Sequence, residues 1–99
     1  RMTRRALFYA DPEDLHDDRI PGSFALLPRG EAGLYEMAFY CPCGCGVGDR
    51  ILVGDGQKPG GARPSWRWNG SRTEPTLDPS VNRTCGWHGW LRDGYWEAC

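Results

Sequence analysis

The sequence predicts a small, mainly β domain that a metal ion helps to hold together. Three observations support this: short apolar and aromatic runs lie between turn residues, no segment has a convincing amphipathic helical period, and three cysteines fall within five positions. Of the 99 residues, 39% are hydrophobic and 14 are glycine. Because such a core is thin, a metal, disulfides or a partner is usually needed. We expect residues 1–99 to form a single zinc-stabilised domain.

Strand candidates follow one another along the chain, separated by glycine, proline or acidic residues. They are Leu7–Tyr9, Phe24–Leu27, Leu34–Tyr40, Arg50–Val53 and Trp66–Trp68. In the third, Tyr35, Met37 and Phe39 alternate with smaller or polar residues, which is typical of a strand buried on one face. The acidic stretch Asp11–Asp18 favours a solvated loop or a minor helix near residues 11–19, with His16 at the surface.

The C-terminal residues predict a β-hairpin. Two aromatic stretches flank Asp93-Gly94, a strong signal for a tight turn. With these two as the central turn residues, Arg92 pairs with Tyr95, and His88 lies opposite Cys99. Three tryptophans lie in or beside this hairpin, and we expect at least one hairpin face to fill a core.

Charge and hydropathy exclude several classes of partner. The net charge is −1, and no basic stripe of the kind that binds phosphate backbones is present, so we expect no nucleic-acid partner. No apolar run approaches the length of a membrane span, and Ala6–Ala10 is too short for the apolar region of a signal peptide. These features predict a cytoplasmic protein without a membrane partner.

The segment Cys41-Pro42-Cys43-Gly44-Cys45-Gly46 predicts a metal-binding knuckle. Alternate residues of an extended strand stand roughly 6.7 Å apart, whereas the sulfurs around tetrahedral zinc are roughly 3.8 Å apart. The chain must therefore bend between ligands, and the interspersed proline and glycines permit that bend. An odd cysteine count with this clustering favours zinc over a disulfide framework, although disulfides or free thiols remain the alternative.

Six side chains compete for the four positions of a tetrahedral site: Cys41, Cys43, Cys45, Cys85, Cys99 and His88. A closed structural site with four of the five cysteines is the simpler interpretation. An open catalytic zinc would need a nearby acid or base, and the deaminase signature is absent because Gly89 and Trp90 follow His88.

A second group of residues surrounds Cys85. Ser80 lies five residues before it and His88 three after, so a metal at Cys85 would hold a serine and a histidine in one frame as nucleophile and general base. Alternatively, Asp78-Pro79-Ser80 is an ordinary turn, and His88 is a metal ligand or a hydrogen-bonded hairpin residue. The candidates for orienting the histidine are Asp78, Glu74 and Asn82, and the glycine-rich backbone near Gly44, Gly46 or Gly86 could offer amide donors for an oxyanion.

Together these motifs resemble one bacterial and phage family, long labelled a domain of unknown function and misannotated in some members as ammonia monooxygenase. The shared features, in order, are the knuckle, Ile51-Leu52, Trp66-x-Trp68, Pro75-Thr76-Leu77-x-Pro79-Ser80-Val81, Cys85-x-x-His88 and Gly94-x-Trp96-x-x-Cys99. The resemblance covers about residues 33–99. Many members have Cys-x-Ser-His-Phe where this chain has Cys85-Gly86-Trp87-His88-Gly89.

The resemblance implies a serine protease that removes a bacterial ubiquitin-like protein from its targets. Members occur beside genes for ubiquitin-like proteins and their E1 and E2 enzymes in bacterial operons, and their serine and histidine correspond to Ser80 and His88. The competing function is a non-catalytic zinc module that binds a protein partner through Trp87, Trp90 and Trp96.

Overall fold

A computed structural model describes residues 3–99, which form two β-sheets and one short helix. The first sheet has the strand order β1-β9-β8-β7, and the second has the order β2-β3-β4-β5-β6. Neighbouring strands run antiparallel except β4 and β5, which are parallel. The elements are β1 (Thr3–Arg5), α1 (Pro12–Asp18), β2 (Phe24–Pro28), β3 (Leu34–Tyr40), β4 (Gly48–Asp55), β5 (Ser65–Trp68), β6 (Leu77–Asp78), β7 (Val81–Asn82), β8 (His88–Arg92) and β9 (Tyr95–Ala98). The prediction of a mainly β fold is confirmed.

The two sheets pack against each other around an apolar core. Its buried residues come from both sheets and include Phe24, Phe39, Trp68, Leu77, Leu91 and Trp96. The rings of Phe39 in β3 and Trp96 in β9 stack with centroids 5.3 Å apart. Trp96 is 1% exposed, and its indole N–H donates to the carbonyl of Gly22 at 2.9 Å. The inner face of the hairpin therefore fills the core, as predicted.

Helix α1 covers the outer face of the second sheet. Asp11 caps it by accepting a hydrogen bond from the N–H of Glu13, and Pro12 occupies its first position. The buried Leu15 packs with Ala25, Ala38 and Tyr40 of the two strands beneath. The minor helix is thus confirmed, but the prediction that β3 is buried on one face is wrong because the helix covers its other face. Of residues 3–99, this seven-residue segment is the whole helical content, and it is too short and polar to cross a membrane.

The N-terminal strand differs from the prediction. Thr3–Arg5 pair with β9, whereas the expected strand at Leu7–Tyr9 is reduced to an isolated bridge between Phe8 and Phe24. The reason is that the chain leaves the first sheet at Ala6 and immediately reaches the second. Too few residues remain beside β2 for a ladder.

The chain crosses between the sheets at Pro79-Ser80. Before this point β6 is an edge strand of the second sheet, and after it β7 is an edge strand of the first. Each has two residues, too few to show an alternating pattern in the sequence. The Asp78–Pro79 peptide bond is cis. Because β6 and β7 are both edge strands, Ser80 lies between the edges of the two sheets.

The C-terminal hairpin has the predicted register. Arg92 pairs with Tyr95, and the N–H of Cys99 donates to the carbonyl of His88 at 2.9 Å. Asp93 and Gly94 both have positive φ, at 49° and 86°. A two-residue turn with two positive φ angles is type I′, which Asp-Gly favours and which matches the twist of the strands.

Candidate functional site

The knuckle, Cys41–Gly46, is a tight loop that follows β3. The N–H of Gly44 donates to the carbonyl of Cys41 at 3.1 Å, and the N–H of Cys41 donates to the carbonyl of Val47 at 2.9 Å. Gly44 and Gly46 have φ of 90° and 83°, a region that side chains disfavour. The chain thus bends at the glycines between the cysteines, as the sequence predicts.

Four cysteine sulfurs meet at the knuckle. The Sγ atoms of Cys41, Cys43, Cys45 and Cys85 all lie within 4.8 Å of one another, close enough to bind one metal ion. The Cys41 sulfur is 3.2 Å from that of Cys43 and 3.5 Å from that of Cys85. These separations are close to the roughly 3.8 Å expected for thiolates around tetrahedral zinc.

The other two ligand candidates lie outside this group. Cys99 is exposed, and its backbone joins it to His88. The His88 imidazole makes its hydrogen bond to Ser80. The fold therefore separates five similar thiols into a group of four and a remote one.

The clustered thiols differ in acidity. Burial raises the pKa of Cys41 to about 12, so this sulfur keeps its proton at neutral pH unless a cation displaces it. A hydrogen bond from the Trp87 backbone lowers the pKa of Cys85 to about 7. Metal binding at this group would therefore release protons.

A short loop, residues 83–87, brings Cys85 to the knuckle. The N–H of Arg83 donates to the carbonyl of Trp87 at 2.8 Å, and the N–H of Gly86 donates to the carbonyl of Arg83 at 3.0 Å. The largely buried guanidinium of Arg83 pairs with Asp49 of β4 and lies 5.2 Å from the centre of the Phe39 ring. The loop is thereby attached to the second sheet next to the knuckle.

Ser80 and His88, on either side of Cys85 in the sequence, form a hydrogen-bonded pair. Ser80 Oγ lies 2.9 Å from His88 Nε2, which is the geometry of a nucleophile and its base. Pairing of β7 with β8 places Asn82 opposite His88, and Ser80 lies two residues before Asn82. Ser80 is half-buried and His88 is exposed, so a large molecule can reach both.

Trp66 holds the backbone of Ser80. Its indole N–H donates to the Ser80 carbonyl at 3.1 Å and connects the serine to β5 of the second sheet. The sequence predicts a strand at Trp66 but does not assign this residue to the site. The available signal was chemical, because a half-buried tryptophan usually finds a partner for its N–H.

None of the three candidates for a third member of the site, Asp78, Glu74 and Asn82, forms a side-chain hydrogen bond to His88 within residues 3–99. Asp78 lies opposite Arg67 of β5, and Glu74 is hydrogen-bonded through its backbone to Ser71 and Asn69. Asn82 lies opposite His88 on the neighbouring strand. Within residues 3–99, no carboxylate forms a hydrogen bond or ion pair with the His88 side chain.

Two of the expected oxyanion donors are already engaged. The N–H groups of Gly44 and Gly86 donate within the knuckle and the 83–87 loop. These two amides form the turns that bring the cysteines together, so an oxyanion donor in this glycine-rich backbone stays a prediction for Gly46 and the neighbouring amides.

Gly89 has a structural reason to lack a side chain. A Cβ atom there would come within 2.7 Å of two carbons of the Trp87 ring and would overlap the carbonyl oxygen of Glu97. The Trp87 ring in turn contacts Trp96 edge to face, with centroids 5.8 Å apart.

Other polar and concave features lie elsewhere. His16 is exposed as expected, and its Nδ1 is 2.8 Å from the hydroxyl of Tyr40. Two cavities, of about 380 and 430 Å³, involve β3 and β4, and neither is lined by Ser80 or His88.

Comparison with known proteins gives one match. A family model described as "Bacterial ubiquitination-like system serine protease (BubE)" matches residues 10–99. Neither the curated proteins nor the solved structures contain a match. The matched region begins before α1 and contains the four clustered cysteines and the Ser80–His88 pair.

Proposed function

This chain belongs to the bacterial ubiquitination-like system serine protease family, and we propose that it hydrolyses the bond between a ubiquitin-like protein and its target. In this proposal Ser80 is the nucleophile and His88 is the general base. The observation that carries it is the 2.9 Å separation of Ser80 Oγ and His88 Nε2. A serine hydroxyl is a weak nucleophile at neutral pH unless a base lies this close.

The reaction follows from the two side chains. Ser80 Oγ attacks the carbonyl carbon of the linkage while His88 Nε2 takes the hydroxyl proton. His88 then gives that proton to the departing amine or hydroxyl oxygen as the carbon–nitrogen or carbon–oxygen bond breaks. Water, deprotonated by His88, hydrolyses the resulting acyl-serine and restores the serine hydroxyl.

The exposure of the site supports a protein substrate. His88 is exposed at the start of β8, and it lines neither of the cavities of about 380 and 430 Å³. A small molecule would normally be enclosed by its site. An open pair of this kind is better suited to a linkage that projects from a folded protein.

We further propose that the four clustered cysteines bind a structural zinc ion. Four thiolates match the preference of zinc, and they leave no ligand position for a reacting water. The ion, when bound, would tie the knuckle to the 83–87 loop, which lies between Ser80 and His88 in sequence. Such a site depends on reduced thiols, which fits a cytoplasmic location.

The test uses Ser80→Ala and His88→Ala with His16→Ala as a control. The first two should each abolish cleavage of a ubiquitin-like conjugate while zinc content and melting temperature stay nearly unchanged. His16→Ala removes the other histidine of the chain, away from the site, and should remain active. Loss of bound zinc in His88→Ala would identify a metal ligand and overturn the pair.

A non-catalytic module that binds a protein partner is the second candidate. The observation in its favour is the outer face of the first sheet, where the half-buried Trp90 lies under the guanidinium of Arg92 at 4.2 Å. Aromatic and arginine side chains are common in binding hot spots. Labelling of Ser80, but not of the Ser80→Ala variant, by a fluorophosphonate would decide for the enzyme.

A further inference from the structure

The hydrogen-bonding pattern of the first sheet determines which way the backbone of Asn82 points. In an antiparallel ladder, pairs that exchange hydrogen bonds alternate with pairs that do not. The N–H of Arg83 donates to the carbonyl of Trp87, so that pair is hydrogen-bonded and the next, Asn82 with His88, is not. The bond from Cys99 to the carbonyl of His88 agrees, because it turns the His88 backbone toward β9.

Asn82 therefore directs both its N–H and its carbonyl away from β8. Beyond β7 the first sheet has no further strand among residues 3–99. Within that part of the chain neither backbone group of Asn82 forms a hydrogen bond, and the residue is exposed. One residue of an added antiparallel strand would form hydrogen bonds to both the N–H and the carbonyl of Asn82.

The position of this edge relative to Ser80 is specific. Asn82 lies two residues after Ser80, a distance of roughly 6.7 Å along an extended chain. The carbonyl of Ser80 is already taken by Trp66, so strand pairing ends at Asn82. If one residue of a substrate chain pairs with Asn82, the carbonyl of the residue two positions further along that chain can reach Ser80 Oγ.

We propose that Asn82 is the backbone anchor for the extended C-terminal tail of the substrate, an inference that rests on the proposed hydrolysis. The tail runs antiparallel to β7, because this direction places its residues before the scissile carbonyl along the strand. A parallel tail would instead need residues that follow the scissile carbonyl to pair with β7. When the tail is joined to a side chain of the target, no ordinary main chain follows that carbonyl. The third residue back from the scissile carbonyl pairs with Asn82, and the second directs its N–H away from β7.

The shortness of β7 agrees with this role. A long exposed edge invites aggregation, and proteins commonly shorten such edges or make them polar. With two residues and an exposed asparagine, β7 offers one pairing position next to the nucleophile rather than a continuous edge.

The experiment modifies the substrate, so the fold of the protein is not disturbed. Acetyl-tetra-alanine coupled to 7-amino-4-methylcoumarin is compared with two analogues, N-methylated at the third or at the second residue from the coumarin. Methylation of the third N–H should lower kcat/KM by about fivefold or more, as expected for one lost hydrogen bond. Methylation of the second N–H should leave kcat/KM within about twofold of that of the unmethylated peptide. Hydrolysis of 4-nitrophenyl acetate, which has no tail, reports the Ser80–His88 pair alone.

Each result separates the two proposals. Three outcomes would overturn the Asn82 anchor and leave the nucleophile in place. They are equal rates for all three peptides, equal losses for both methylated analogues, and hydrolysis of the acetate without hydrolysis of any peptide. No Ser80-dependent hydrolysis of any probe would overturn the proposed function, and the anchor with it.

Discussion

Replacing Trp66 by phenylalanine tests whether the second sheet positions the nucleophile. The change removes the indole N–H that lies 3.1 Å from the Ser80 carbonyl and keeps an aromatic ring. A neutral hydrogen bond contributes about 1 kcal/mol, and water can replace this one because Ser80 is half-buried. We expect the melting temperature to fall by no more than about 4–8 °C. The value of kcat should fall by about tenfold with little change in KM, since the serine is no longer held for attack.

Trp68→Phe is the matched control. It lies on the same strand, and its indole N–H donates to another serine carbonyl, that of Ser71, at 3.0 Å. Trp68 is 1% exposed, so this variant also leaves a cavity and should lose about 2 kcal/mol or more. Although Trp68→Phe is the more destabilised variant, its kcat should stay within about twofold of the unchanged protein, because Trp68 does not bind Ser80. If kcat instead follows the melting temperature in both variants, Trp66 only stabilises the fold and the reasoning is refuted.

Two further changes test the metal-binding group and the packing beside His88. Cys45→Ser should lose most of its bound zinc and melt at a lower temperature, whereas Cys99→Ser, outside the group of four, should keep its zinc content and melting temperature. Elemental analysis measures the zinc and thermal melts measure the stability. Equal zinc loss in the two variants would contradict the assignment of Cys45 as a ligand. Gly89→Ala should lower the free energy of unfolding by about 2 kcal/mol, because the added methyl group meets Trp87 and the backbone. Gly60→Ala, which meets nothing within 4 Å, should change it by less than about 1 kcal/mol, and similar urea midpoints for the two would contradict this account.

Features encoded by neighbouring residues could be predicted from the sequence. The hairpin register follows from Asp93-Gly94, because few dipeptides accept two positive φ angles. The knuckle follows from glycines placed between cysteines, and the minor helix from an acidic stretch that begins with a capping aspartate. In each case the information lies within a few residues.

Features that depend on long-range packing could not be predicted in the same way. The sequence presents five cysteines of similar character, and only the approach of the 83–87 loop to the knuckle separates Cys85 from Cys99. The burial of both faces of β3 depends on where α1 docks. The bond from Trp66 to Ser80 joins β5 to the crossing between β6 and β7, and this crossing has no periodic pattern.

The crossing at Pro79-Ser80 makes the distance between serine and histidine a measure of how the two sheets are aligned. The carbonyl of Ser80 is bound to the second sheet through Trp66, whereas His88 belongs to the first and is bound to Cys99. A slide of one sheet over the other by about an ångström would separate Oγ from Nε2 while every strand kept its hydrogen bonds. Under gradual heating or denaturant, the proposed hydrolysis would therefore stop before the β-sheet signal changes, and the protein would be inactive while still folded.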